Sequence, residues 1–288
     1  MNYITLLFAS FLFSLQFLFT KKFQQFAGES IVAAIFSALC VSVVSVVSTL
    51  ITLRCKFQIN SFTLLMSFLL FVNNIAFAFF NLKAVKYANV SMFAMFNMLG
   101  SIFLPSLCGI LFFNEKLTVA LIFSYIFIII AMVLSIKGDK SKKGAAFYYI
   151  AVFILNGLGG VISKIYYASP DSMGTDIYLF TSNVMRLAVC AVLLVALAKK
   201  VSLRIDFKKA FALKSSAFSL LSGLSNLLGN FWSLALLTII PVSVHSLVTS
   251  GGTIVFSALI DRISGQKINL KGLLSLIIAV IAIALAII

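Results

Sequence analysis

Residues 89–136 read NVSMFAMFNMLGSIFLPSLCGILFFNEKLTVALIFSYIFIIIAMVLSI, and this stretch decides the fold. It holds two apolar runs, 89–113 and 117–136. Each is long enough to cross a bilayer as a helix, which takes about 20 residues. Only Asn114-Glu115-Lys116 separates them. Three residues cannot return a chain across a membrane, so two antiparallel neighbouring helices are expected. Lipid offers unpaired backbone no partner, which restricts spanning structures to helices and closed barrels. Barrel strands alternate polar and apolar over about ten residues. Nothing here alternates.

The rest of the chain follows the same grammar. It has 288 residues, 62% hydrophobic and 10% charged. A soluble domain is about 45–50% apolar and about 25% charged. This composition excludes a soluble enzyme, a disordered tail and a disulfide-stapled secreted domain. Ten apolar runs are expected as spans: 3–20, 30–53, 61–82, 89–113, 117–136, 145–166, 176–198, 212–238, 242–260 and 270–288. Cys40, Cys55, Cys108 and Cys190 have no CxxC or metal-ligand spacing; three lie in apolar runs and read as small packing residues. Only Met1, Asn2 and Tyr3 precede the first run, so a basic leader region is not expected.

The chain carries 22 Lys and Arg against 7 acids, a net charge of +15. In a soluble protein that balance would point to nucleic acid. In a membrane protein basic residues collect in cytoplasmic loops, so no nucleic-acid partner is expected. Loops after spans 2, 4, 6 and 8 hold only Arg54, Lys56, Lys116 and Lys164. Nearly all the others follow the odd-numbered spans. That places the odd-numbered loops in the cytoplasm and both termini outside.

A repeat is legible at one constant spacing. Asn74 falls on Asn226, Val90-Ser91 on Val242-Ser243, and Gly100-Ser101-Ile102 on Gly252-Thr253-Ile254. One residue then drops out, and Glu115-Lys116-Leu117 falls on Gln266-Lys267-Ile268. Thr20-Lys21 falls on Ser163-Lys164. Two halves are expected, 1–139 and 140–288, with five helices each. Five is odd, so the second half enters from the opposite side. The expected fold is an all-α integral membrane protein of ten transmembrane helices in two inverted repeats, an architecture of secondary transporters.

This pattern resembles the drug/metabolite transporter superfamily in its EamA-like branch. The turn Asn114-Glu115-Lys116-Leu117-Thr118 is similar to that family's G-E-x-L-[ST] turn, and Ala84-Val85-Lys86-Tyr87-Ala88 to its A-L-x-Y stretch. Pro241-Val242-Ser243 and Ser250-Gly251 resemble the second copy. The chain departs where Asn114 replaces the usual Gly and Gln266 the usual Glu. Eukaryotic relatives are usually drawn with both termini in the cytosol, opposite to the loop charges here. The resemblance covers nearly the whole chain. It implies a carrier with a central cavity between the halves, moving amino acids, other metabolites, sugars, nucleotide sugars or cationic drugs.

Arg186 is the sharpest candidate for a binding residue. It lies ten residues after Asp176 and thirteen before Lys199. A charge at the centre of a span costs about 2.5–3.5 kcal/mol on insertion scales, so a wet cavity or a partner is expected. The seven acids, Glu29, Glu115, Asp139, Asp171, Asp176, Asp206 and Asp261, all read as lying in or near loops. Arg186 therefore has no evident counter-ion. It reads either as a site for a carboxylate or as an arginine bonding backbone carbonyls between helices. Helix 1 offers Ser10, Ser14 and Gln16 but no acid, which disfavours a proton/cation-drug antiporter.

Asparagines form the second cluster, and an unpaired amide in lipid is costly. Asn74, Asn97, Asn156, Asn226 and Asn230 read either as cavity-lining substrate ligands or as interhelical glue, worth about 0.6 kcal/mol each. Asn226 and Asn230 share one helix face. Trp232, the only tryptophan, lies two residues further on. His245, the only histidine, could titrate near neutral pH or be satisfied at an interface. Gly251-Gly252 reads as close packing or as a broken helix. No P-loop, HExxH, catalytic triad or metal cluster appears, so neither an enzyme nor a cofactor is expected. The expected function is transport of small polar metabolites, amino acids or related carboxylates, by alternating access. The alternatives are a flippase for a lipid-linked anionic substrate and a non-transporting sensor or assembly subunit. The expected setting is a cell membrane, the cytoplasmic membrane of a bacterium, with a small-molecule substrate and lipid as partners and a monomeric or homodimeric state.

Overall fold

The computed structural model describes residues 2–53, 58–87, 89–113, 116–138, 145–234, 245, 247–266 and 269–285. Seven helices come first: α1 (Asn2–Ala27), α2 (Ile31–Leu53), α3 (Ser61–Tyr87), α4 (Val90–Phe112), α5 (Val119–Gly138), α6 (Ala145–Ala168) and α7 (Thr175–Ala198). A short α8 (Arg204–Ala210) leads into α9 (Leu213–Leu234). One turn of π-helix, Leu247–Gly251, runs directly into α10 (Gly252–Ile263), and α11 (Leu270–Leu285) closes the described chain. No strand occurs among the described residues.

Six helices, α1–α4, α6 and α7, are long and apolar enough to cross a membrane. Two apolar stretches are shorter, Val119–Leu134 and Leu270–Leu285. α9 has 22 residues but is less apolar, because a serine stripe, Ser215, Ser219, Ser222 and Ser225, runs along its buried side. Its other side exposes Leu220, Leu221, Leu224 and Leu228. On α3, Leu64, Leu65, Phe68, Leu69 and Val72 are exposed likewise. Apolar surface on this scale marks contact with lipid. The protein is membrane-embedded.

Helix starts show why the chain turns where it does. The first N–H groups of a helix lack internal partners. Ser30 Oγ accepts from Ala33 N at 3.3 Å, and Asn60 Oδ1 from Thr63 N at 2.8 Å. Thr118 Oγ1 accepts from Leu121 N at 3.2 Å, and Asn269 Oδ1 from Gly272 N at 2.7 Å. These cap α2, α3, α5 and α11. α4 differs, because Asn89 makes no side-chain cap bond. Gly28 ends α1 at φ 82°, a conformation that favours glycine.

The helices pair by sequence-distant contacts. α1 packs along α9 and the π-turn–α10 segment; α4 and α3 pack on α6; α2 and α3 on α7; α2 on α9; α4 on α10; α5 on α11. The α4–α6 crossing is the tightest. A Cβ on Gly157 would stand 2.6 Å from the Gly100 carbonyl oxygen, and one on Gly160 2.5 Å from Pro105 Cγ. Without Cβ atoms the two backbones touch, the usual device of helix packing in lipid. The largest buried cluster surrounds this crossing and includes Phe93, Phe96, Tyr149 and Phe153. Cys40, Cys108 and Cys190 are buried free thiols.

Two expectations change. The basic break 199–209 contains α8, whose Phe207 packs against the buried cluster of α2 and α7. Asp261 is also no loop acid: it lies in α10 and is fully buried. The turn residues Asn114 and Glu115, the repeat residues Val242-Ser243, and Cys55 lie outside the described residues.

Candidate functional site

Arg186 stands on the face of α7 that carries buried Asn183 and Cys190, opposite exposed Val184, Val192 and Val195. It therefore points inward. Its Nε donates to Ser42 Oγ of α2 at 2.6 Å, and Nη2 donates to Asn183 Oδ1 at 2.6 Å. Both acceptors are themselves oriented: Ser42 Oγ donates to Ala38 O at 2.7 Å, and Asn183 Nδ2 to Leu179 O at 2.8 Å. A guanidinium has five N–H donors in a planar fork. Two are used, and the remaining three have no partner among the described residues. The only ion pair among those residues is Lys86–Glu29. Arg186 also keeps some accessible surface.

Asn74 lies at the middle of α3, on the face shared with Ser67 and Asn81 and opposite exposed Leu65, Leu69 and Val72. It is partly exposed. Its amide bonds to no described residue. Its neighbour Asn73 behaves differently, with Nδ2 donating to Leu155 O of α6 at 3.0 Å. Asn97 in α4 is 5% exposed. Its side-chain amide likewise has no described partner, while its carbonyl oxygen accepts from Asn156 Nδ2 at 2.6 Å. Asn156 thus fastens α6 to α4.

Asn226 and Asn230 share one face of α9 as expected, and Asn230 Nδ2 donates to Asn226 O at 2.9 Å. Asn226 Nδ2 donates to Gln16 Oε1 of α1 at 2.9 Å. Thr20 and Ser222 meet at 2.8 Å on the same seam. Asn230 is exposed although its helix face is otherwise the buried one.

These groups share a similar depth. At 1.5 Å per residue, Arg186, Asn74 and Gln16 lie about 16–21 Å from the starts of their helices, and Asn97 about 22 Å from the end of α4. Asn60 Nδ2 bonds Asp171 O at 2.8 Å, which puts the starts of α3 and α7 at one end of the bundle. Lys21 reaches Gln266 and Lys86 reaches Glu29 at the other end. Arg186, Asn74, Asn97 and Gln16–Asn226 therefore occupy one level near mid-span.

Two candidates lie elsewhere. Trp232 is on the outer face of α9, edge-on to Phe8 and Phe231, and 40% exposed. His245 is buried, with Nε2 at 2.9 Å from Ser233 Oγ and 3.0 Å from Ser233 O. It is satisfied locally by α9. Two partners were not foreseen. Ser42 looks like any helix serine until its opposite helix is known. Asp261 accepts from Val90 N at 2.9 Å, Ser91 N at 2.7 Å and Ser91 Oγ at 2.6 Å, and so supplies the cap α4 lacks. Among the described residues no group of three His, Cys, Asp or Glu could hold a metal.

Together these features define an all-helical, membrane-embedded protein with a polar level at mid-span. Twenty-six chains of solved structures match it. One, described only as "Crystal structure of protein", is 13% identical with a TM-score of 0.55, over 99% of this chain and 96% of that one. At that identity the likeness speaks for the fold alone. No family model and no curated protein matches the chain.

Proposed function

We propose that the chain is a secondary carrier of small polar, carboxylate-bearing metabolites, amino acids or their relatives, working by alternating access. One observation carries this reading: Arg186 faces inward at mid-span, is held rigidly by Ser42 and Asn183, and keeps three N–H donors uncommitted among the described residues. A fork of that kind binds a carboxylate in two-point fashion. The amides of Asn74 and Asn97, which have no partner among the described residues, supply the neutral polar contacts. Gln16 and Asn226, bonded to each other at a similar depth, would add further polar contacts.

The helix pairing supports two inverted five-helix repeats in a drug/metabolite-transporter-like fold, divided near residue 139. Exchange the halves, counting π-turn–α10 as one helix, and the pairs α1–α9 and α6–α3 trade places. So do α4–α6 with α10–α1, and α3–α7 with α9–α2. α2–α7, α4–α10 and α5–α11 map on themselves. Such a pattern suits two halves rocking about a midplane site. The flippase reading needs a side passage into the bundle. The groove between α10 and α11 offers no such passage, because Ile254 and Leu276, both part of the main buried cluster, close its floor.

Purified protein in proteoliposomes tests the proposal by counterflow of labelled amino acids and dicarboxylates. Wild type is expected to exchange at least one, and Arg186→Gln none, with equal insertion. Wild-type exchange by the variant overturns the site. No exchange of any carboxylate by wild type overturns the function. A reporter fused after Ile288 is expected on the non-cytoplasmic side, as the loop charges require.

A further inference from the structure

α10 and α11 follow each other in the chain but diverge, leaving a lipid-facing groove of about 580 Å³ between them. Ile254 and Leu276 form its floor, and Val255, Leu259, Ile277 and Ile281 its rims. One end carries Arg262 and Gln266. From Ile254 to Arg262 the groove runs about 12 Å along α10, close to the roughly 15 Å depth of one hydrocarbon leaflet. An acyl chain entering at that interface fills it without crossing the midplane.

The polar end is basic. Arg262 is exposed and makes no ion pair among the described residues. The neighbouring acid, Asp261, faces the other way and is bonded to the first turn of α4. Lys21 Nζ stands at 2.9 Å from Gln266 Oε1, which brings a second ammonium to the same end. Lys271, exposed in the first turn of α11, adds a third cation. We infer that this groove is a binding site for an anionic phospholipid, its chain between α10 and α11 and its phosphate on Arg262, the exposed cation at its polar end. The inference is independent of what the protein transports.

The test uses the full chain, delipidated in non-ionic detergent. Phosphatidylglycerol and phosphatidylcholine with matched chains are titrated separately, and bound lipid is read by native mass spectrometry. Phosphatidylglycerol is expected to bind about fivefold more tightly, the value of one basic contact near a membrane surface. Arg262→Gln should erase that preference while leaving chain binding. Ala258→Trp, which places an indole in the groove, should weaken both lipids. Glycerol phosphate, a head group without chains, should not compete. Equal binding of the two lipids to wild type overturns the proposal, as does a preference that survives Arg262→Gln. Competition by glycerol phosphate overturns the chain site. A wild-type dimer that Ala258→Trp splits shows that a second copy, not lipid, occupies the groove.

Discussion

Asp261 and Ser91 are bonded twice: one carboxylate oxygen, Oδ2, takes both the backbone N–H and the hydroxyl of Ser91, at 2.7 and 2.6 Å. The other oxygen takes Val90 N. A fully buried acid from α10 thus does for α4 what a local cap does elsewhere. Asp261→Leu leaves three donors without an acceptor, at about 1–3 kcal/mol each before relaxation. The variant should lose several degrees or more of thermal stability in detergent, with Asp261→Asn between it and wild type. A Leu variant that melts with wild type removes the capping role.

Ser42→Ala separates orientation from charge at Arg186. The guanidinium stays but loses the acceptor of Nε. A lost hydrogen bond to a charged group is worth about 1.5–3 kcal/mol, so transport affinity should fall about tenfold to a hundredfold. Arg186→Lys keeps the charge without the planar fork and should be equally poor. Measured as the substrate concentration for half-maximal counterflow, an unchanged Ser42→Ala value means that Arg186 needs no positioning.

Adjacent asparagines give opposite forecasts. Asn73 holds α6 through Leu155 O, so Asn73→Leu should cost about 0.6 kcal/mol of stability and leave transport measurable. Asn74 has no described partner, so Asn74→Leu should not destabilise the fold but should abolish or cripple flux. Melting curves and counterflow on the two variants decide it. If Asn74→Leu transports normally, Asn74 is not a ligand.

Gly100→Ala probes the α4–α6 contact. The added methyl meets the backbone of Phe153, which cannot swing aside as a side chain can. Overpacking of this kind costs about 1–3 kcal/mol. The yield of folded, detergent-stable protein should drop, more than for Gly223→Ala, whose nearest neighbours lie 3.4 Å away.

Most helix positions were legible because hydrocarbon demands long apolar runs: 61–82 anticipated α3, and 176–198 nearly coincides with α7. The extra turn of α3 through Tyr87 was hidden because Lys83 and Lys86 look like loop residues, yet Lys83 Nζ lies on the Phe79 ring at 4.5 Å. Arg186 stood out because charge at mid-span is costly anywhere in the chain. Its partners did not, since a serine 144 residues away carries no mark of its opposite helix. Asp261 was misplaced for the same reason: three residues before a turn, an acid looks solvated unless the α4 terminus behind it is known. Trp232 stands two residues beyond Asn230, a helical spacing that turns it away from the Asn226–Asn230 face, and the structure places it outward against Phe8.

The π-turn at Leu247–Gly251 sets the phase of everything after it. A π-turn accommodates one residue more than an α-turn, so the following helix is rotated by about 100° relative to an uninterrupted one. Thr253, Ser257 and Asp261 recur every four residues and all have 0% exposure. They form a single polar spine. Ser14 Oγ donates to Thr253 O at 3.0 Å, and Ser10 Oγ donates to Val248 O at 3.0 Å, so α1 clasps the segment on both sides of the junction. Because of that one wider turn, the spine lies against protein along its whole length, and its last carboxylate meets an uncapped helix instead of hydrocarbon.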